Sequence, residues 1–189
     1  MKALRTSFKK HKPYFLFLFI IFLFGTLTGI LFYFKQDISI RNAILSSLDT
    51  VFQNNVFAFK NILYHVGLLL FVSILLFCFL GIPILVVYIF IEGIAIGFLF
   101  PIFLSSFKIN FLLYAVLYFV FIKLIYILLL FCLFLKGIKF IKVYVQSLKN
   151  KNYQFIGEFK YVLFFVFCVF LNDLLVYFVS NKILIFLLG

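Results

Sequence analysis

Long apolar runs alternate with shorter polar stretches along this chain. Each of the five runs approaches the ~20 helical residues that cross the hydrocarbon core of a bilayer. The polar stretches between them are too short to form a soluble domain of useful size. The pattern predicts an all-α, polytopic membrane protein that forms one integral membrane domain over 1–189. Its transmembrane helices are expected at about 14–34, 62–81, 84–107, 111–135 and 161–180.

The composition supports the membrane class. The chain is 67% hydrophobic and 12% charged, with a mean hydropathy of +1.30, whereas soluble domains are roughly 45–50% apolar and about 25% charged. The net charge is +12, but the lysines flank the apolar runs, where they face lipid headgroups. We therefore expect a lipid bilayer as the partner of this charge, and no nucleic acid.

The residue types that carry most enzyme chemistry are few and scattered. The cysteines, Cys78, Cys132 and Cys168, lie inside apolar runs and share no metal-ligand or disulfide pattern. His11 lies in the basic N-terminal tail, and His65 falls near the start of the second run, where it is expected at the membrane interface. No nucleophile–base set, phosphate loop or zinc motif is found. The sequence therefore favours a protein that is not an enzyme and holds no cofactor or metal.

The basic residues predict an orientation. Five Lys or Arg precede the first run and six lie in 136–160, whereas the connections on the other side together carry five. By the positive-inside rule the N-terminus is cytoplasmic and the C-terminus lies outside. Pro13 is expected to begin the first helix, which is uncleaved because its run is longer than a signal-peptide core. The turn "GIP" at 81–83 is expected to join the second and third runs as a hairpin.

The connection 136–160 carries a basic face. Ile138, Ile141, Val145 and Leu148 recur at helical spacing, which predicts an amphipathic helix lying along the anionic inner leaflet. A solvated connecting helix is the alternative. The basic residues of this segment that are expected to face the inner leaflet are Lys136, Lys139, Lys142 and Lys149.

The connection 35–61 is amphipathic but less basic. Its apolar stripe includes Ile40, Ile44 and Leu48, and its polar positions include Asp37 and Asp49. The pattern favours a short interfacial helix or a re-entrant element on the outer face. It is the best candidate for contact with a partner outside the cell, and a plain interfacial helix is the alternative.

Ionisable residues occur inside the predicted spans. Glu92 and Lys123 are nearly equidistant from the turn at Lys108, so they fall at matching depth on antiparallel helices. A single charge at the bilayer centre costs ~2.5–3.5 kcal/mol on the insertion scale, so we expect the two to pair. Asp173 lies at similar depth, beside Asn172, and is expected to join the pair or to compete for Lys123. A structural pair and a proton or ion path both fit these residues.

Small residues recur four apart on two of the runs. Gly25 and Gly29 frame "GTLTG", and Gly93 and Gly97 frame "GIAIG". Such faces allow helix backbones to approach closely. Packing inside the bundle is the favoured interpretation. Association of two copies into a homo-oligomer is the alternative.

Taken together, the motifs resemble the stage II sporulation protein M family of bacterial membrane proteins. The resemblance covers most of the chain: "FGTLTGILF" at 24–32, the outer segment ending in "FKN", and "FLGIPILVVYIF" at 79–90. Relatives often have a polar residue and a glycine, then three residues, then Gly-Phe. In "EGIAIGF" these positions are Glu92, Gly93, Gly97 and Phe98. The chain departs from the family at Val176, where relatives carry Glu, and Asp173 lies one turn earlier on the same helical face.

The resemblance implies a scaffold in the bacterial cell membrane. Such a protein holds cell-wall hydrolases, a lytic transglycosylase and an amidase, during the peptidoglycan remodelling of engulfment in sporulation. The outer-face segments would be the docking surfaces. The alternative is a small transporter, or a transporter subunit, that uses Glu92, Lys123 and Asp173.

Overall fold

The computed structural model describes residues 2–53, 59–105, 123–150 and 153–188. The residues described form helices and no strands, which confirms the predicted all-α class. A short 3-10 turn, Leu76–Cys78, follows the third helix. The predicted turn at Lys108 and the first part of the fourth run lie outside the described residues. The helices are α1 (Lys2–Lys35), α2 (Ile38–Gln53), α3 (Phe59–Leu75), α4 (Gly81–Ser105), α5 (Leu124–Asn150) and α6 (Phe155–Leu188).

Among the residues that the structure describes, four helices are long and apolar enough to cross a membrane. The spanning segments are Lys12–Lys35, Gly81–Ile102, Leu124–Asn150 and Phe155–Leu175. The predicted second run corresponds to α3 and the 3-10 turn that follows it, and its described apolar part is Ile62–Cys78. At 1.5 Å per residue, Phe59–Leu75 and Leu76–Cys78 together are ~30 Å long, about the thickness of a typical hydrocarbon core. The protein is therefore a multi-pass membrane protein.

Helices α1 and α4 pack closely and run parallel. Gly25 faces Gly93, and Gly29 faces Gly97, so the residue numbers rise together along the contact. A Cβ atom on Gly93 would lie 2.6 Å from the carbonyl oxygen of Phe22 and 3.1 Å from the Cα of Gly25. The small-residue faces thus meet each other inside one chain, as the packing interpretation predicts.

The chain returns between α1 and α4 through α3, and the later helices alternate in direction. Consequently the start of α1, the turn after α3 and the α5–α6 connection share one end of the bundle. We call it the basic end, because Lys139, Lys142, Lys149 and Lys160 are exposed there. Pairs of contacts show that neighbouring helices are antiparallel, because the residue number rises on one helix as it falls on the other. For α4 and α5 these contacts are Glu92–Lys123 and Ile82–Gly137, and for α5 and α6 they are Phe140–Phe159 and Tyr144–Phe155. For α6 and the segment of α3 with its 3-10 turn they are His65–Asp173 and Phe77–Phe159.

Two predicted helix boundaries are wrong. α1 begins at Lys2, and Pro13 lies inside it rather than at its start. The chain reverses at Leu76–Leu80, before "GIP", with Phe79 in the left-handed region at φ 60°. The first residue of α4, Gly81, must be small, because a Cβ there would lie 2.8 Å from the carbonyl oxygen of Val72. Pro83 then falls in the first turn of α4, where a missing N–H is tolerated.

The predicted separate helix at 136–160 is also wrong. α5 continues without interruption from Leu124 to Asn150, and α6 begins at Phe155. Lysine and glutamine are good helix formers, so the change from apolar to polar sequence near position 136 does not end the helix. The buried face also differs from the predicted stripe, since Phe140 and Ser147 are buried whereas Leu148 is 62% exposed. The lysines therefore lie on an extension of a spanning helix.

An apolar core fills the bundle between its middle and the basic end. Aromatic rings close this end: Phe77 packs on Phe140 at 5.0 Å between centroids and on Phe159 at 5.0 Å. The aromatic cluster consists of Phe77, Phe140, Tyr144, Phe155 and Phe159. Large apolar side chains also cover the outer surface, among them Phe24, Phe71, Phe164 and Leu175, as a bilayer environment requires.

Candidate functional site

Polar side chains from four helices meet inside the bundle, and His65 of α3 lies at their centre. Its Nδ1 is 2.5 Å from Oδ2 of Asp173 on α6. Its Nε2 is 2.5 Å from the hydroxyl of Tyr126 on α5, and it also contacts the hydroxyl of Tyr88 on α4. Both ring nitrogens of this histidine are therefore engaged. We call His65, Asp173, Tyr88 and Tyr126 the histidine network.

The tyrosines link the network internally. The hydroxyls of Tyr88 and Tyr126 are 2.7 Å apart, so one donates to the other. Tyr126 is only 2% exposed, and its ring centroid is 5.1 Å from that of His65. The surrounding helices thus hold the hydroxyls in place, and the imidazole of His65 packs against the buried ring of Tyr126.

The ion pair Glu92–Lys123 lies next to the histidine network. Nζ of Lys123 is 3.1 Å from Oε2 of Glu92, and it also lies 5.1 Å from the ring centroid of Tyr126. The side chain of Lys123 is 21% exposed and that of Glu92 is 15% exposed. Glu92 also interacts with the hydroxyl of Tyr88, one helical turn away on α4. The acid at Asp173 and the acid at Glu92 are therefore connected through His65 and the tyrosines.

The protonation of His65 decides the net charge of this group of residues. Glu92 and Lys123 cancel, so Asp173 leaves one negative charge when His65 is neutral. A carboxylate only accepts hydrogen bonds, so Nδ1 of His65 carries a hydrogen and donates to Asp173. Nε2 then accepts from a tyrosine hydroxyl in the neutral ring and donates to one in the charged ring. Proton uptake thus reverses hydrogen bonds as well as cancelling the charge.

The structure brings together part of what the sequence predicts. The Glu92–Lys123 contact is the pair that matching depths on the hairpin predict. Asp173, expected to join or compete for Lys123, is instead held by His65. The ring of His65 lies among α4, α5 and α6. Its expected place at the membrane interface stays a prediction.

Tyr88 and Tyr126 are not predicted as site residues from the sequence, although helical spacing gives a signal for both. Tyr88 precedes Glu92 by four residues, and Tyr126 follows Lys123 by three. Such spacings place side chains on one helical face. A hydroxyl one turn from an intramembrane charge is therefore a candidate partner, and two such hydroxyls on facing helices indicate a network.

The predicted basic face lies apart from this site, at the basic end. Nζ of Lys139 is 2.6 Å from Oε1 of Glu158 on α6, and Nζ of Lys136 lies 4.8 Å from the ring centroid of Tyr161. Lys142 and Lys149 are exposed. These contacts fix the α5–α6 hairpin at the level where lysines meet headgroups or water.

Other chemistry is sparse in the part of the chain that the structure describes. There, no group of three or more His, Cys, Asp or Glu side chains is placed to hold a metal ion. Cys78, Cys132 and Cys168 are free thiols, and Cys78 is exposed. The histidine network and the adjoining ion pair are the candidate site.

Comparison with known proteins gives no relative. No protein-family model, curated protein or solved structure matches this chain.

Proposed function

We propose that this protein is a small membrane carrier, or a carrier subunit, that takes up and releases a proton at the His65–Asp173 pair. The observation behind this proposal is the position of His65, with Asp173 on one ring nitrogen and two tyrosine hydroxyls on the other. Histidine is the side chain whose charge most readily changes near neutral pH. Ionisable residues inside membrane spans are by default candidates for proton relays and transport paths.

The charge of the site supports coupling between the proton and a second species. A net charge in the bilayer interior costs ~2.5–3.5 kcal/mol on the insertion scale. The site with neutral His65 carries one uncompensated negative charge, and a single proton removes it. Release of that proton is favoured when another cation or a positively charged substrate replaces it. This exchange is the elementary step of a proton-coupled carrier.

The network also provides a route for the proton. When Nε2 of His65 donates a hydrogen bond to one tyrosine hydroxyl, that hydroxyl can donate its own hydrogen to the other, because the hydroxyls of Tyr88 and Tyr126 are 2.7 Å apart. Tyr88 in turn interacts with Glu92. A chain of hydrogen bonds therefore connects the carboxylates of Asp173 and Glu92.

Asp173→Asn is the variant that tests the carrier proposal. The amide keeps the size of the side chain but cannot hold the proton with His65. In proteoliposomes with an entrapped pH dye and an imposed potential, we expect proton flux to fall about a hundred-fold, the lower end of what a positioned proton-transfer group contributes. Asp37→Asn is the matched control, because Asp37 is exposed in the α1–α2 turn and is expected to leave flux unchanged. Flux is normalised to monodisperse protein, and equal flux in both variants would contradict the proposal.

A second candidate is the scaffold that the family resemblance implies, a docking protein for cell-wall hydrolases in the bacterial plasma membrane. The α1–α2 turn favours it. Nη2 of Arg41 donates to the Phe34 carbonyl at 2.6 Å, and Nε donates to the Gln36 carbonyl at 2.8 Å. The guanidinium also lies 5.4 Å from the ring centroid of Tyr33. Arg41 therefore holds α2 in a set direction at the end opposite the basic end, where Ile38 is 73% exposed.

Arg41→Gln tests the scaffold. The substitution removes hydrogen bonds that hold the α1–α2 turn and does not touch the histidine network. We therefore expect the yield of peptidoglycan hydrolases that co-purify in mild detergent to fall at least about five-fold, which corresponds to a loss of ~1 kcal/mol in binding free energy. Lys35→Gln removes one positive charge nearby and serves as the control. Absence of hydrolases from the wild-type preparation would exclude this role and leave the carrier proposal untouched.

A further inference from the structure

We infer that the histidine network exchanges protons with water only through the end of the bundle opposite the basic end. The inference rests on the proposed carrier function and adds to it the side from which the proton enters. It also identifies the part of the bundle that must open before the proton can leave toward the basic end.

A sealed layer lies one helical turn below each member of the network. The four members of this layer are at most 1% exposed, and each comes from a different helix. Each is three or four residues from its network partner, so it lies directly beneath it on the same helical face. The layer consists of Leu69 below His65, Leu85 below Tyr88, Leu130 below Tyr126 and Val169 below Asp173.

Further buried apolar side chains follow between this layer and the basic end. Val72, Phe134 and Val166 are each 3% exposed, and Val162 is fully buried. The aromatic cluster then closes the bundle, with Phe77 between α5 and α6. From His65 to Phe77 the path is twelve residues, or ~18 Å at the helical rise. The buried polar side chain of α3 on this path, Ser73, donates its hydroxyl to the carbonyl oxygen of Leu69 at 2.8 Å. A path lined otherwise by apolar side chains holds no continuous chain of waters, so we expect it to block proton transfer.

Toward the other end, the next helical turn holds charged side chains instead of an apolar layer. Glu92 follows Tyr88 by four residues on α4, and Lys123 precedes Tyr126 by three, so both lie on that side of the network and pair there. The side chains of His65 and Asp173 are 23% and 15% exposed, whereas the layer beneath them is closed. The titratable groups that face this site are His65 from α3, Tyr88 and Glu92 from α4, Lys123 and Tyr126 from α5, and Asp173 from α6.

One buried stripe on α6 provides a set of positions for a test. Asn172, Val169, Val166 and Val162 follow one another at helical spacing and are all buried. Single cysteines at these positions, in a background with Cys78, Cys132 and Cys168 replaced by alanine, report access at successive depths. The reagent is a charged, membrane-impermeant methanethiosulfonate applied to either side of proteoliposomes of known orientation. Tyr153→Cys marks the basic end, since Tyr153 is 77% exposed, and Asp37→Cys marks the opposite end.

We expect Asn172→Cys to react from the same side as Asp37→Cys, roughly ten-fold or more faster than from the other side. Val166→Cys and Val162→Cys are expected to be unreactive from both sides, because an apolar surrounding suppresses the reactive thiolate. Reaction at Val162 or Val166 from the side of Tyr153→Cys would overturn the inference, as would protection of Asn172→Cys from both sides. Proton flux through the wild type is measured separately, so failure of the carrier proposal is distinguishable. Each variant is first shown to be monodisperse in detergent.

Discussion

Gly97→Ala is expected to destabilise the protein by about 1–3 kcal/mol, the usual effect of forcing extra volume into a packed interior. A Cβ at this position would lie 2.7 Å from the carbonyl carbon of Thr26 on α1. That atom belongs to a helix backbone and cannot turn aside as a side chain would. The two helices must separate along the whole stretch where Gly25 and Gly29 meet α4. Unfolding by sodium dodecyl sulfate in mixed micelles, followed by circular dichroism, measures the loss.

Gly67→Ala is the matched control for this variant. Gly67 lies on α3, and no atom of the described residues is within 4 Å of a Cβ built there. Alanine is a better helix former than glycine by about 1 kcal/mol, so this variant is expected to be as stable as the wild type or slightly more stable. If both variants lose the same stability, the loss does not come from the α1–α4 contact. A loss that depends on protein concentration would instead show that these glycines serve contact between copies.

The sequence predicts the class of fold because the bilayer imposes simple requirements. Apolar runs near the spanning length predict that α1, α4 and α6 exist, although α1 and α6 extend beyond the apolar runs into polar sequence. The glycine spacing indicates close approach, but it cannot state which faces meet, since that depends on the direction of the helices in three dimensions. The errors arise where composition changes without a helix-breaking residue. α5 therefore passes through position 136 although the sequence there changes from apolar to basic.

The candidate site is less predictable than the fold. The Glu92–Lys123 pair follows from depth along one hairpin, because consecutive helices share a turn that sets their register. The His65–Asp173 contact joins residues 108 positions apart, and no local pattern relates α3 to α6. Tertiary packing therefore determines which acid His65 meets.

The Glu92–Lys123 pair is expected to be a structural element whose two members depend on each other. Glu92→Gln leaves Lys123 without its carboxylate partner, and Lys123→Met leaves Glu92 without its ammonium. Each single variant is expected to lose about 3 kcal/mol, the lower end for breaking a buried pair, because both side chains keep some exposure. The double variant removes both charges, so its loss is expected to fall short of the sum by roughly 1–3 kcal/mol. The same detergent unfolding assay measures all four proteins.

The comparison with Asp173→Asn separates the structural pair from the proton site. If the pair only joins α4 to α5, the double variant keeps proton flux once its amount is corrected, while Asp173→Asn loses flux at nearly normal stability. Additive losses in the cycle would show that Glu92 and Lys123 act independently, contrary to their 3.1 Å contact. Loss of flux in a stable double variant would extend the proton route to Glu92, through the Tyr88 hydroxyl with which it interacts. Stability and flux together therefore assign each carboxylate of the bundle to packing or to proton transfer.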